Sequence, residues 1–222
     1  MKVIKGYFFP SNDTEYVKYF KEFDHYQKEQ RDFSYQFVEK FDLAIDIGAN
    51  LGLWARDFTE KFKHTICFEP NPKCIPYLKK NITQDKSTIY QIGLGNRNEN
   101  KELFSPHDLG TSSYVNFTKI GLTDSGEKIW GQFDKSTEKI NTEIKVLDDF
   151  EFSNIDYIKI DVQGFEENVL KGAEKTLNSN NPVLCIEFDH QSNSYSIESF
   201  LFKLNFKNVG NIGKERIFKK TL

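Results

Sequence analysis

Four acidic residues each close a short apolar run and stand just before a turn-forming stretch. Asp46 lies in LAIDIGANLG, Glu69 in HTICFEPNP, Asp161 in YIKIDVQGF and Glu187 in VLCIEFDHQ. A carboxylate so placed accepts hydrogen bonds from hydroxyls, balances a cationic ligand, or takes a proton. His190, three residues past Glu187, adds a group that titrates near neutral pH and suits proton removal from a hydroxyl. Lys159 lies two positions before Asp161, on the same face of an extended segment, where its ammonium would pair with that acid. Gln163 is polar and reads equally as a site residue or a surface amide. Asp161 with Glu187 or Asp189 would also offer oxygen ligands to a divalent ion such as Mg²⁺, although the spacing alone assigns no metal.

The elements that position these residues follow from the pattern around them. After Asp46 comes a turn holding Gly48, Ala49, Asn50 and Gly52, then Leu53, Trp54, Phe58 and Phe62 spaced to share one helical face. Strand, glycine turn and helix bring backbone N–H groups and a helix N-terminus up to a ligand. Glu69 lies roughly 20 residues beyond the glycines, where such folds set a carboxylate on ribose hydroxyls. The glycine spacing departs from G-x-G-x-x-G, and no G-x-x-x-x-G-K-[ST] loop occurs. An acid at Asp46 would repel a pyrophosphate but would suit S-adenosylmethionine, which carries an ammonium and a sulfonium. The glycine spacing likewise disfavours a nicotinamide-dependent oxidoreductase.

Farther along, PNPKCIPYLKKNI reads as a helix, Ser87–Gly93 as a third strand, and Glu143–Phe150 as a strand running into VLDDF. Ile155–Asp161 and Pro182–Phe188 read as strands, with a helix over Phe165–Leu177 between them. A last helix over Ser196–Asn205 precedes short strands near Lys207–Gly210 and Arg216–Lys219. Alternating strands and helices predict an α/β fold with a doubly wound sheet, and the closing pair suits an antiparallel hairpin at one edge. Asp13–Phe41 reads as helical, with Tyr16, Phe20, Phe23, Phe33 and Phe37 near helical spacing: a packing stripe, or alternatively a substrate lid. The expectation is one domain over 1–222, comprising an aromatic helical segment (1–40) and an α/β core (41–222) with an irregular insertion at about 96–139.

Composition narrows the function. With 30 Lys and Arg against 33 Asp and Glu, broad attraction to nucleic acid is disfavoured. No apolar run reaches the roughly 20 residues of a membrane span, and the first residues lack a secretory h-region. Cys67, Cys74 and Cys185 are too few and too scattered for a disulfide framework or zinc site. Cys67 and Cys185 are expected as core residues, in a cytoplasmic, reducing compartment.

DIGANLG, FEPNP, VLDDF, IDYIKIDVQGFEENVLKGA and the strand ending in Glu187 together resemble the FkbM family of S-adenosylmethionine-dependent methyltransferases, in order from about Phe41 to His190. The resemblance implies a class I methyltransferase fold with a Rossmann-like, mostly parallel seven-stranded sheet. It places Asp46, Gly48, Asn50 and Gly52 at the methionine end of the cofactor and Glu69 at the ribose. It sets Ser112 and Ser113 of LGTSSY near the cofactor, and matches Asp161 to the aspartate of K-x-D-x-E-G, with Gln163 at the glutamate. The family's E-x-H is met here by Glu187-Phe188-Asp189-His190. The expected cofactor-binding set is thus Asp46, Gly48, Ala49, Asn50, Gly52, Glu69, Pro70, Asn71, Gly93, Ser112, Ser113 and Asp161. The expected catalytic set is Asp161, Glu187 and His190. The implied reaction is O-methylation of a small-molecule or glycan acceptor. A non-catalytic binding or assembly module of the same fold is the alternative that Gln163 and the His190 register leave open.

Overall fold

A computed structural model describes residues 1–13, 15–106, 137–188 and 194–221. Lys2–Ile4 (β1) and Tyr7–Phe9 (β2) pair as an antiparallel hairpin that turns on Lys5 and Gly6, both at positive φ. Two helices follow, Glu15–Glu22 (α1) and Lys28–Tyr35 (α2). This corrects the single helix expected over Asp13–Phe41. The aromatic spacing continues through the break, but Gln27 sits in the left-handed region at φ 46 and redirects the chain. The Asp13 carboxylate accepts from the Tyr16 N–H at 2.9 Å, as an N-terminal cap does.

The central strands are Leu43–Ile47 (β3), His64–Phe68 (β4) and Ser87–Tyr90 (β5). Between them lie Leu53–Lys61 (α3) and Ile75–Asn81 (α4). The expected third strand stops at Tyr90. Gly93–Leu94 (β6) joins Glu99–Pro106 (β7) and Thr137–Lys145 (β8) in a separate sheet of order β6-β8-β7. Within the span expected to be irregular, 99–106 and 137–139 are therefore strand, and 107–136 lie outside the described residues. The strand expected over Glu143–Phe150 ends at Lys145, and Leu147–Phe150 is a 3₁₀ turn. Beyond it run Ile155–Ile160 (β9), Glu166–Lys171 (α5), Glu174–Ser179 (α6) and Val183–Glu187 (β10). Ser194–Lys203 (α7), Phe206–Ile212 (β11) and Glu215–Lys220 (β12) follow.

The helix expected over Phe165–Leu177 is interrupted at Gly172, whose Cβ, if present, would lie 1.9 Å from the Gly95 carbonyl oxygen. Asp148 then caps α6, accepting from the N–H groups of Lys175 and Thr176 at 3.0 and 2.7 Å.

The main sheet has the order β11-β12-β10-β9-β3-β4-β5. Its five central strands run parallel, and β12 and β11 complete it antiparallel. Alternation along the strands separates two cores. Ile45, Ile47, Ile158, Ile160, Leu184 and Ile186 pack with Val169, Leu170, Ile197 and Leu201 of the helices on one face. Ala44, Tyr157, Val183, Cys185 and Ile217 pack on the other face with Trp54 and Phe58 of α3 and Phe62 just after it. Cys67, Cys74 and Cys185 are buried free thiols.

Candidate active site

The second face turns polar toward the carboxyl ends of its strands. Register sets Asp46 beside Lys159, Lys159 beside Cys185, and Cys185 beside Ile217. One step farther, Glu187 lies directly opposite Glu215. The apolar row Ala44–Tyr157–Val183 is thus followed by charged residues that share its face, at the sheet edge where α/β folds bind ligands.

These residues line a cavity of about 340 Å³, within the range of about 300–1,000 Å³ typical of small-molecule sites. Five carboxylates face it (Asp46, Glu69, Asp161, Glu187 and Glu215), with Lys159 buried among them and Lys214 at the rim. Tyr16, Tyr26, Gln27 and Gln30 of the N-terminal segment form the opposite wall. The Trp54 indole N–H donates to the Gln27 side-chain oxygen at 2.6 Å, tying that wall to the start of α3. The segment expected to be a packing stripe or a lid both packs on the domain and walls the pocket.

Lys159 Nζ lies 3.6 Å from Asp161 Oδ2 and 4.9 Å from the centre of the Trp54 ring, and it has no hydrogen-bond partner. Burial works against its ammonium, but Asp161, Cys185, Glu215 and Glu187 outweigh that and hold its pKa above the usual lysine value. Gln163, at φ 56, points its amide inward, donating at 2.8 Å to Asp161 Oδ1 and at 2.8 Å to Glu187 Oε2. The side chain therefore belongs to the site. Burial, together with the neighbouring Asp161 charge and a hydrogen bond to it, pushes the Glu187 carboxyl up to about 8. Burial opposes ionisation of Asp161 as well, yet Lys159 and the hydrogen bonds from Glu187 and Gln163 prevail and hold it below its ordinary value. Their neighbourhood thus pushes the two acids apart, Asp161 toward the ionised form and Glu187 toward the protonated one.

Asp46 is raised to about 7, by burial first, with Lys159 opposing. It accepts from the Ala55 N–H in the first turn of α3, while its Oδ2 has no partner. Glu69 is raised to about 7 by burial, opposed by the hydrogen bonds it accepts from the Asn71 and Asn50 N–H groups at 2.8 and 2.7 Å.

The glycine turn works differently from the expectation that it offers N–H groups to a ligand. The Gly48 and Ala49 N–H groups donate to the Phe68 carbonyl, Asn50 to Glu69, and Gly52 to the Ala49 carbonyl. Gly48, at φ +86, brings the turn against the end of β9, where a Cβ would lie 1.9 Å from the Asp161 carbonyl oxygen. Gly52 faces α4, where a Cβ would meet Leu78 at 2.7 Å. Gly48, Ala49 and Asn50 line the main cavity, whereas Pro70 and Gly93 line a small apolar slot on the other side of Gly48, with Phe165. Asn71 is buried beside Glu69. Ser112, Ser113, Asp189 and His190 lie outside the described residues. Among the described residues, no group of three or more His, Cys, Asp or Glu is arranged to hold a metal ion. Trp54, Gln27 and Glu215 are site residues that the sequence reading missed; Trp54, straight after the glycine turn, carried the one usable signal.

A mostly parallel seven-stranded sheet with an antiparallel closing pair and a pocket at the carboxyl ends of its strands defines the class I methyltransferase fold. The solved methyltransferase FkbM from Methylobacillus flagellatus KT superposes with a TM-score of 0.53 at 15% identity, over 84% of this chain and 47% of that one. SMU.1697c from Streptococcus mutans, solved in complex with SAH, superposes with a TM-score of 0.50 at 12% identity, over 87% and 97%. The methyltransferase FkbM domain matches residues 46–208, and the chain belongs to that family. It is 28% identical over 151 residues to the 2-O-methyltransferase NoeI of Sinorhizobium fredii (strain NBRC 101917 / NGR234), covering 63% of this chain and 61% of that protein. The chain spans about three fifths of the length of the curated relatives it matches. Among the described residues, no helix is long and apolar enough to cross a membrane.

Proposed function

We propose that this protein transfers a methyl group from S-adenosylmethionine to a hydroxyl of a small acceptor of sugar or natural-product type. The observation that carries the reading is the chemistry of the pocket wall: five carboxylates face the cavity, and the N–H groups of Gly48, Ala49, Asn50 and Gly52 already have partners inside the protein. Such a wall favours a cation and repels a pyrophosphate. When bound, S-adenosylmethionine supplies the methyl group on a sulfonium.

Asp46, with an unpartnered buried oxygen, would balance positive charge, and Glu69, whose oxygens keep further acceptor capacity, would take the ribose hydroxyls. Ala49 and Asn50 form the wall beside them, while Pro70 and Gly93 frame the apolar slot next door. Asp161, ionised and steadied by Lys159 and Gln163, would accept the acceptor's hydroxyl proton, with Glu187, already held toward its protonated form, hydrogen-bonded beside it. By the family resemblance alone, His190 would be the second base and Ser112 and Ser113 would serve the cofactor. The relative named as a 2-O-methyltransferase supports a hydroxyl acceptor. The reading places the protein in the cytoplasm.

Calorimetric titration with S-adenosylmethionine, S-adenosylhomocysteine and NAD tests the cofactor. Micromolar binding of the first two is expected, and binding of neither would overturn the reading. Incubation of the loaded protein with a cell metabolite and glycan extract, followed by mass spectrometry, should reveal products heavier by one CH₂. Cofactor binding without any such product would favour a non-catalytic module.

A further inference from the structure

Glu215 is contributed by the last strand of the sheet, far in sequence from the glycine turn. The residue is 1% exposed. Backbone N–H groups of Glu215 itself and Lys214 hydrogen-bond its carboxylate, yet Oε1 is buried without a partner. It lines the same cavity as Asp46 and Lys159, and the strand register sets it directly opposite Glu187. Lys159 faces Glu215 and offsets part of its charge, but a buried carboxylate oxygen with nothing to meet is costly. A positively charged ligand in the cavity would meet it.

We propose that Glu215 is a specificity-determining residue that makes the pocket prefer the sulfonium form of its cofactor over the neutral thioether product. The proposal rests on the reading of S-adenosylmethionine as cofactor. A cavity of about 340 Å³ is on the order of 9 Å across, so charge on any wall acts on the whole ligand through a medium of low dielectric. Among the carboxylates, Glu215 accepts no hydrogen bond from an amide side chain, unlike Asp161 and Glu187, and holds no loop N–H of the glycine turn, unlike Glu69. Its charge is therefore available to the ligand. The groups facing it are Asp46 from β3, Glu69 at the end of β4, Lys159 and Asp161 at the end of β9, Glu187 from β10, and Lys214 in its own hairpin. Burial raises the Glu215 carboxyl and Lys159 opposes this, so its charge grows as pH rises above the ordinary carboxylate range. Selection of the sulfonium should grow with it.

The test is calorimetric and needs no acceptor. The affinities of S-adenosylmethionine and S-adenosylhomocysteine are measured from pH 6 to 8 for the wild type and Glu215→Gln, which keeps shape and hydrogen-bonding capacity. With the amide oxygen turned to the backbone N–H groups of Lys214 and Glu215 and the NH₂ taking the place of the unpartnered Oε1, we expect Glu215→Gln to lose about tenfold in S-adenosylmethionine affinity, the scale of one buried charge contact, and to hold S-adenosylhomocysteine to within about threefold. The preference for the sulfonium should rise with pH in the wild type and rise less in the variant. Equal losses for both ligands would show a structural role and overturn the proposal, as would an unchanged preference. Should Glu215→Gln fail to fold, Glu215→Asp, which draws the charge back from the cavity, should lose several-fold in S-adenosylmethionine affinity with S-adenosylhomocysteine held to within about threefold, and an unchanged preference or equal losses would overturn the proposal. Wild-type protein that binds neither ligand refutes the cofactor reading itself, a result distinct from all of these.

Discussion

Replacing Lys159 with methionine removes the ammonium around which the site is built and leaves a side chain of similar length. Its Nζ lies 3.6 Å from Asp161 and 4.9 Å from the Trp54 ring centre, and it is the buried positive group facing Asp161, Glu187 and Glu215. Breaking a buried pair from one side costs about 3–5 kcal/mol, because the remaining charge stays behind. The Asp161 side chain is 29% exposed, which places the expected loss near the lower end, at about 3 kcal/mol.

The loss should depend on pH in a definite direction. In the wild type the Lys159 pKa is raised, so its contribution is complete below the usual lysine value and constant across pH 5–8. The Asp161 pKa is lowered, so its contribution is present above the usual aspartate value and disappears only as pH falls through the lowered one. Without Lys159, burial raises all three carboxyls, and the variant regains stability as they take up protons. The deficit should be about 3 kcal/mol at pH 8 and shrink to about 1 kcal/mol at pH 5, where the lost cation–π contact is what remains. Urea unfolding followed by fluorescence and circular dichroism at pH 5, 6.5 and 8 measures this. A deficit below about 1 kcal/mol at pH 8, or one equal at both ends of the range, would refute the reasoning.

Three further outcomes are expected. Glu69→Ala should weaken both S-adenosylmethionine and S-adenosylhomocysteine by about ten- to a hundredfold in calorimetry, and it should loosen the turn that Asn50 and Asn71 anchor. Gly48→Ala should lower stability by about 2 kcal/mol or more, visible as a fall in Tm, because its Cβ would collide with the Asp161 carbonyl oxygen; an unchanged Tm would contradict this close approach. Gln163→Glu takes away the amide that bridges Asp161 and Glu187 and adds a third acid. Its stability deficit should be largest at pH 8 and nearly vanish at pH 5, as shown by paired thermal melts.

Asp46, Glu69, Asp161 and Glu187 are legible in the sequence because a carboxylate that ends an apolar run has few structural uses. The strand order places them together by the rule that ligands sit at the carboxyl ends of parallel strands. Glu215 is not legible. ERIFKK reads as an ordinary edge strand, and only the insertion of β12 beside β10 sets its first residue opposite Glu187. The break at Gln27 is hidden because Phe23 and Tyr26 continue the aromatic spacing across it. β7 and the first part of β8 escape detection because ENKELFSP and TEKIN are too polar for a strand judged by its apolar run, whereas the end of β8, Glu143–Lys145, falls within the strand that the sequence predicts. The role of Gly48 is half legible. Its spacing marks a special turn, but whether the missing Cβ makes room for a ligand or for the backbone of another strand depends on tertiary packing.

Asp46 and Glu69 are made early in translation, whereas Glu215 arrives with the final strand. A chain still emerging from the ribosome with some 200 residues released holds the glycine turn, Glu69 and the Asp161–Glu187 pair, but β10 presents a bare edge where β12 will dock. Any partner able to pair with a strand edge meets its best opportunity at that moment, and a chaperone has its clearest reason to bind there. Ligand that binds more tightly once β12 has brought Glu215 to the pocket wall favours the docked edge over the bare one by mass action.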